Sequence, residues 1–170
     1  MKTIFSVTAI LIFNLSTCLG QTLSSTTSVD YFGNTNTTYS NSYGSTVAKS
    51  TTSTDYIGND NTTYYGNSGS VIGTSTSKVD YYGNTNTTSY NSTGSTIGSS
   101  SGSTDYFDNY NVNYYNSNGS SAGQSSSSVD YFNNVNTIYT NSSGQQTGTS
   151  TGSFDYFGNY NTTTTSNPWD

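Results

Sequence analysis

Apolar side chains follow two different patterns in this chain. Ile4 to Leu15 is a nearly unbroken apolar run: Ile4, Phe5, Val7, Ala9, Ile10, Leu11, Ile12, Phe13 and Leu15. From Gln21 onward the large side chains are sparse and return at a fixed spacing. Asp-Tyr occurs at Asp30-Tyr31, Asp55-Tyr56, Asp80-Tyr81, Asp105-Tyr106, Asp130-Tyr131 and Asp155-Tyr156, every 25 residues. Asn follows at Asn34, Asn59, Asn84, Asn109, Asn134 and Asn159, and again at Asn36, Asn61, Asn86, Asn111, Asn136 and Asn161. Gly keeps two more registers, Gly44, Gly69, Gly94, Gly119 and Gly144, and Gly73, Gly98, Gly123 and Gly148. Five full units and a partial sixth carry no insertion or deletion. A period this strict marks a stacked or arrayed repeat.

Within a unit the punctuation predicts β-structure. Gly33-Asn34 and its copies supply residues that accept positive φ, as does Asn41-Ser42-Tyr43-Gly44 with Asn91-Ser92-Thr93-Gly94 and later copies, so both read as turns. A softer Ser/Thr/Gly break lies near Thr51–Ser53, seen again as Ser101-Gly102-Ser103. The runs between are Thr, Tyr, Val, Ile and Phe, which favour strands. Strands are expected near 28–32, 35–40 and 45–50, repeating each 25 residues.

The opening run reads as a secretory signal peptide over residues 1–20. Lys2 supplies the positive start and Ser16–Gly20 the small residues for cleavage. The run is shorter than the ~20 residues a spanning helix needs, and no later segment is apolar enough to span. The remaining divisions are an N-terminal linker (21–28), five and a half β-repeats (29–166) and a C-terminal tail (167–170). Cleavage would remove Cys18, leaving no disulfide, and Lys2, leaving two Lys against nine Asp, a net charge of −7. Such a chain repels nucleic-acid phosphates and anionic membranes.

Composition limits the core. Leu, Ile, Val and Phe number 17 of the 150 residues after Gly20, a level at which chains are usually disordered. One unit buries too few large groups to order itself, so each must lean on its neighbours or on other chains. Fixed spacing argues against disorder, which needs none. The fold expected is all-β, a solenoid with three short strands per coil. The alternatives are an elongated antiparallel meander with one hairpin per unit, or a partly disordered chain. In a solenoid equivalent Asp would stack ~4.8 Å apart and repel; in a meander they lie ~9.5 Å apart, beyond most screening. Three breaks favour the solenoid and the Asp row favours the meander.

The unit D-Y-F-G-N-T…Y-x-N-S-x-G resembles the Tyr/Asn/Gly-rich tandem repeats of secreted and surface proteins. Its second half, as in Tyr114-Tyr115-Asn116-Ser117-Asn118-Gly119, is distantly similar to the hairpins of YD-type (RHS-like) repeats. The resemblance implies an extracellular β-repeat scaffold and carries over no catalytic residue.

Candidate chemistry is limited. After Gly20 the chain has no His, Cys, Glu or Arg, which excludes the usual nucleophile–base pairs and zinc sets, and no enzymatic activity is expected. Calcium is the only cofactor the residues suggest: Asp30, Asp55, Asp80, Asp105, Asp130 and Asp155, each followed by two Asn, offer hard oxygens. The sequons Asn36, Asn61, Asn86, Asn91, Asn118, Asn141 and Asn161 are candidate glycosylation sites. Tyr31, Tyr56, Tyr81, Tyr106, Tyr131 and Tyr156 form a row that either packs between units or serves as an aromatic binding surface. Thr37, Thr62, Thr87, Thr137 and Thr162 form a second row, a candidate flat array for ice. The function expected is that of a secreted structural or adhesive repeat protein of a cell coat, fibre or matrix. Its expected partners are other copies, other surface components or carbohydrate, with no nucleic acid and no membrane span after cleavage. The alternative is a carbohydrate- or ice-binding module using the Tyr or Thr row.

Overall fold

A computed structural model describes residues 22–167; the signal-peptide segment and residues 168–170 of the tail lie outside the described residues. Among these residues the chain forms twelve strands: β1 (Leu23–Val29), β2 (Thr35–Asn41), β3 (Thr46–Thr54), β4 (Asp60–Gly66), β5 (Val71–Val79), β6 (Thr85–Asn91), β7 (Thr96–Thr104), β8 (Tyr110–Asn116), β9 (Ser121–Val129), β10 (Val135–Thr140), β11 (Gln146–Phe154) and β12 (Tyr160–Ser166). Each pairs antiparallel with its sequence neighbour, and β12 returns to pair with β1. The result is a closed up-and-down β-barrel.

The all-β expectation holds, but the chain is not a solenoid. Each 25-residue period is one hairpin, as the meander alternative proposed, and the meander closes on itself instead of running on. Only two of the three breaks reverse the chain. The third, Thr51–Ser53, lies inside β3, where its small side chains fit a strand. The strand expected over 28–32 is interrupted: β1 ends at Val29, and residues 30–34 form the turn. The segment read as a linker, 21–28, supplies most of β1 and completes the sixth copy. Closure leaves no sheet edge open, so the array needs no capping unit.

Strand periodicity sorts the side chains. Position 25 and its copies Ser50, Ser75, Ser100 and Ser125 face inward and are buried, as are Thr27, Thr37, Thr62 and Thr87. Tyr39, Tyr64 and Tyr114 are buried in the lumen with them. Burial raises the Tyr64 and Tyr114 hydroxyls well above their ordinary value, and it pushes Tyr160 up to about 12. Buried hydroxyls need partners. Tyr39, Tyr64, Tyr114 and Tyr139 reach Ser50, Ser75, Ser125 and Ser150 eleven residues on, at 2.9–3.4 Å. Thr27 pairs with Thr37 at 2.9 Å, and Thr52 with Thr62 and Ser77 with Thr87 at 2.8 Å. Ser25 bonds Thr162 at 2.7 Å across the β1–β12 closure. Aliphatic cores are small: Leu23, Tyr39 and Ala48 form one cluster, Val112 and Tyr114 another. A chain poor in Leu and Ile thus folds around Tyr and satisfied hydroxyls.

Glycine is imposed where strands approach closely. A Cβ at Gly73 or Gly98 would stand 2.6 or 2.7 Å from the backbone carbonyl oxygen of Tyr90 or Tyr115. Ala48 occupies the same register in an earlier copy, and there the residue across the ladder is Gly66 instead of Asn. The registers slip by one residue just beyond, between Tyr39 and Ser40, Tyr64 and Tyr65, Ser89 and Tyr90, Tyr114 and Tyr115, and Tyr139 and Thr140. Such bulges sharpen twist and curvature, which closing a sheet requires.

Candidate functional site

Connections alternate between the two ends of the barrel. All six Asp-Tyr turns lie at one end; the Asn-Ser-x-Gly turns and the described chain ends lie at the other. The first end is an aromatic rim.

Each rim turn is built by its Asp. In the first copy Asp30 Oδ1 accepts the backbone N–H of Phe32 and of Asn34, both at 2.9 Å. Oδ2 accepts the side-chain N–H of Asn34 at 3.1 Å and of Asn36 at 3.2 Å. Gly33 donates to the Asp30 carbonyl at 3.0 Å, and Asp30 donates to the Asn34 carbonyl at 2.9 Å. The chain turns at Gly33, φ 82°, the left-handed region that favours glycine. Two copies place Asp108 (φ 63°) and Asn133 (φ 64°) there instead, the residue types that tolerate that region best after Gly. The same four bonds to the carboxylate recur at Asp55, Asp80, Asp105, Asp130 and Asp155, as at Asp105, which accepts Phe107, Asn109 and Asn111.

With the carboxylate facing back into its own turn, the two residues after it point outward. Tyr31, Tyr56, Tyr81, Tyr106, Tyr131 and Tyr156 are between 94% and 98% exposed. Phe32, Ile57, Tyr82, Phe107, Phe132 and Phe157 beside them are exposed too. In five of the six tips the two rings meet edge to face, with centroids 5.5–5.6 Å apart and planes 83–84° from parallel. That is a favoured geometry for an aromatic pair. Val29, Val79, Val129 and Phe154, the last residues of their strands, add exposed apolar groups to the lip. The Tyr row therefore does not pack between units; it is the outer surface of the rim. Every phenylalanine among the described residues is exposed.

The turn tips at the opposite end are mostly polar, although Val71, Ile72 and Ile97 are exposed at the starts of β5 and β7 beside them. Asn41 Oδ1 accepts Tyr43 and Ser45 N–H at 3.0 Å, and Asn91 and Asn141 repeat the arrangement. The tips there are Ser92-Thr93, Ser117-Asn118 and Ser142-Ser143, with Tyr43 the aromatic exception.

The remaining candidates divide. The Thr row does not face outward: Thr37, Thr62, Thr87 and Thr137 are buried in the lumen and Thr162 is partly buried there, so the expected flat ice-facing array does not exist. The period-two parity that Thr37 shares with Tyr39 puts it inside. The calcium trio is brought together, but in a form that suits a turn. Asn34 and Asn36 point their N–H groups, not their oxygens, at the carboxylate. The Asn36 oxygen accepts Thr51 Oγ1 at 2.8 Å from the next strand, with Asn61–Thr76, Asn86–Ser101 and Asn161–Thr26 alike. Among the described residues no three acidic, His or Cys groups converge. The sequons Asn36, Asn61, Asn86 and Asn161 lie on the outer wall below the rim with both ends of their amides engaged. Asn91, Asn118 and Asn141 lie at the polar end, and Asn118 is exposed at a turn tip.

Hydrogen bonds from the Asn four residues on hold the rim carboxyls below their ordinary value of 3.8. The Asn side chain contributes most at Asp30, Asp80, Asp105, Asp130 and Asp155, and its backbone N–H at Asp55. A carboxyl depressed in the fold stabilises it above the unfolded value, and that stability is lost as pH falls through the folded value. We expect the thermal midpoint to be flat near neutrality, to begin falling as pH approaches about 4, and to fall further in stronger acid as six turns protonate. Asp105→Asn, tested by thermal unfolding across the same range, makes that acid limb shallower. An acid limb identical to that of the unaltered chain would show that the carboxylate does not hold the turn.

No family model matches the chain, and no curated protein matches it.

Proposed function

We propose that this chain is an extracellular, non-catalytic adhesive protein, and that the aromatic rim is the surface by which it attaches. One observation carries the reading: the fold puts Tyr and Ser in its interior and every described Phe on its surface, gathered with Tyr at one end. Exposing large apolar side chains in one continuous zone disfavours solubility and marks contact surfaces. Six copies of the same tip provide six equivalent contacts on one rigid body, so weak contacts add by avidity. The opposite end, through which the described chain enters and leaves, has fewer exposed aromatic groups and leaves the rim facing away. The outer wall is mostly polar, with Ser24, Thr26, Asn36, Thr38 and Lys49 and the single exposed aliphatic Ile138 in mid-strand, which keeps the barrel in water while the rim engages.

Adsorption measured on alkyl-terminated and hydroxyl-terminated surfaces with a quartz microbalance tests this. The protein is expected to adsorb on the alkyl surface. The variant Tyr106→Ser/Phe107→Ser/Tyr131→Ser/Phe132→Ser is expected to lose most of that adsorption with its circular dichroism intact. Equal adsorption by both proteins would overturn the reading. A carbohydrate-binding role is the second reading, favoured by the exposure of the six Tyr rings, which are free to stack on sugar faces.

A further inference from the structure

We infer that the rim seats in the interfacial layer of a zwitterionic lipid bilayer, with the barrel standing on the membrane. This rests on the adhesive reading and names the surface that the rim takes. The tips form a closed ring of apolar side chains around a barrel mouth whose lip is Val29, Val79, Val129 and Phe154. A ring of that form suits an extended surface better than it suits a peptide segment or a single small ligand.

The chemistry of the tip separates lipid from sugar. Sugar sites combine an aromatic face with polar groups that take the hydroxyls. Here the polar groups next to the rings are already used: the Asp80 carboxylate accepts Tyr82 N–H, Asn84 N–H, Asn84 Nδ2 and Asn86 Nδ2 at 2.9–3.4 Å. The turn donors of Asp80 and Gly83 are satisfied by Asn84 and Asp80 carbonyls. At this tip the carboxylate and the turn donors are held internally, so the rings can enter the interfacial layer while the carboxylate stays on the water side. Tyr and other aromatic groups sit well at the headgroup boundary, where one end of the ring is apolar and the other wet.

Charge separates the remaining options. The rim turns carry seven carboxylates, the six repeated Asp and Asp108, and the cation nearest them in sequence is Lys78, two residues before Asp80. Two copies meeting rim to rim would oppose seven carboxylates to seven. Anionic headgroups would meet the same repulsion. A choline headgroup presents a quaternary cation that both the Tyr faces and the carboxylates attract. The polar wall sets the depth: the tips enter and the strands stay in water.

Flotation with vesicles of pure phosphatidylcholine, and with vesicles rich in phosphatidylserine, tests the inference on the full secreted chain. The protein is expected to float with the first and at least about tenfold less with the second. The rim variant above should lose about a hundredfold or more of its affinity for phosphatidylcholine. Tyr43→Ser at the polar end should lose nothing, and circular dichroism confirms that each variant is folded. Brominated acyl chains should quench tyrosine emission of the unaltered protein strongly and that of the rim variant, which keeps four tips but binds weakly, far less at the same lipid concentration. Adsorption to alkyl surfaces or to insoluble polysaccharide without flotation would overturn the lipid inference and leave the adhesive reading standing. Dimerisation lost in the rim variant, without flotation, would assign the rim to a second copy and overturn it as well. Absence of rim-dependent binding to any surface would overturn both.

Discussion

Deleting one whole copy, residues 30–54, is expected to leave a folded barrel of ten strands, whereas deleting residues 155–170 is expected to leave no cooperative fold. In the first deletion Val29 joins Asp55, the same junction that Val79 makes with Asp80. Strand β1 then meets β4 in the register it used with β2, so Thr27 faces Thr62 as it faced Thr37. Every remaining strand keeps an antiparallel neighbour on each side. The second deletion removes β12 and leaves eleven strands. The strands that would have to close the ring, β1 and β11, both run in the same direction, so the antiparallel ladder cannot be rebuilt. The loss covers the five β1–β12 residue pairs and the seven β11–β12 pairs. At roughly 1 kcal/mol per ladder hydrogen bond that is on the order of 10 kcal/mol, comparable to the whole net stability of a domain. It also opens two edges to other chains. Thermal unfolding followed by circular dichroism, with light scattering for aggregation, distinguishes the two deletions. A cooperative transition in the eleven-strand chain would show that closure is not what holds the array together.

The period, the all-β class and the two true turns were readable because each rests on local chemistry. Asp at the first position and Gly or its substitutes at the fourth define a tight turn, and Asn-Ser-x-Gly defines another. Closure was not readable from any single unit, since nothing in one hairpin says whether the last copy meets the first. Two particular features bear on it. No unit is modified as a cap, which an open array would need and a ring does not. Leu23–Val29 also matches the register of later odd strands, with Val29, Val79 and Val129 in one row, so a segment that looks like a linker completes the count. The strand expected over 28–32 arose because Val-Asp-Tyr-Phe looks apolar. Its apolar residues are not core but tip, and only the bonds from Asp30 to its own turn turn them outward. The Thr row was placed wrongly for a related reason: in an ordinary protein Thr is a surface residue, and here the lumen is built from it.

The lumen also contains a substitution pattern that yields the sharpest test of its packing. Where most copies carry Thr or Ser at the inward position near the rim (Thr27, Thr52, Ser77, Ser127), two carry Gly102 and Gly152. Those are the two copies with Tyr110 and Tyr160 eight residues on, where Thr27 and Ser77 have Thr35 and Thr85. A Cβ at Gly102 would collide with the Tyr110 ring, and one at Gly152 with the Tyr160 ring. The aromatic ring lies across the bare backbone, one rung diagonally along the ladder. Gly102→Thr is therefore expected to cost about 1–3 kcal/mol by overpacking. Tyr110→Thr costs in turn, because the ring leaves the cluster of Val112 and Tyr114 against which it packs. The double variant recreates the combination of Thr27 and Thr35 found in the first copy and should lose less than the sum of the two, with a coupling of about 1–3 kcal/mol. Denaturant unfolding of the four proteins measures that coupling. Strict additivity would mean that the ring and the glycine do not share one space, and that the lumen is not packed in matched pairs.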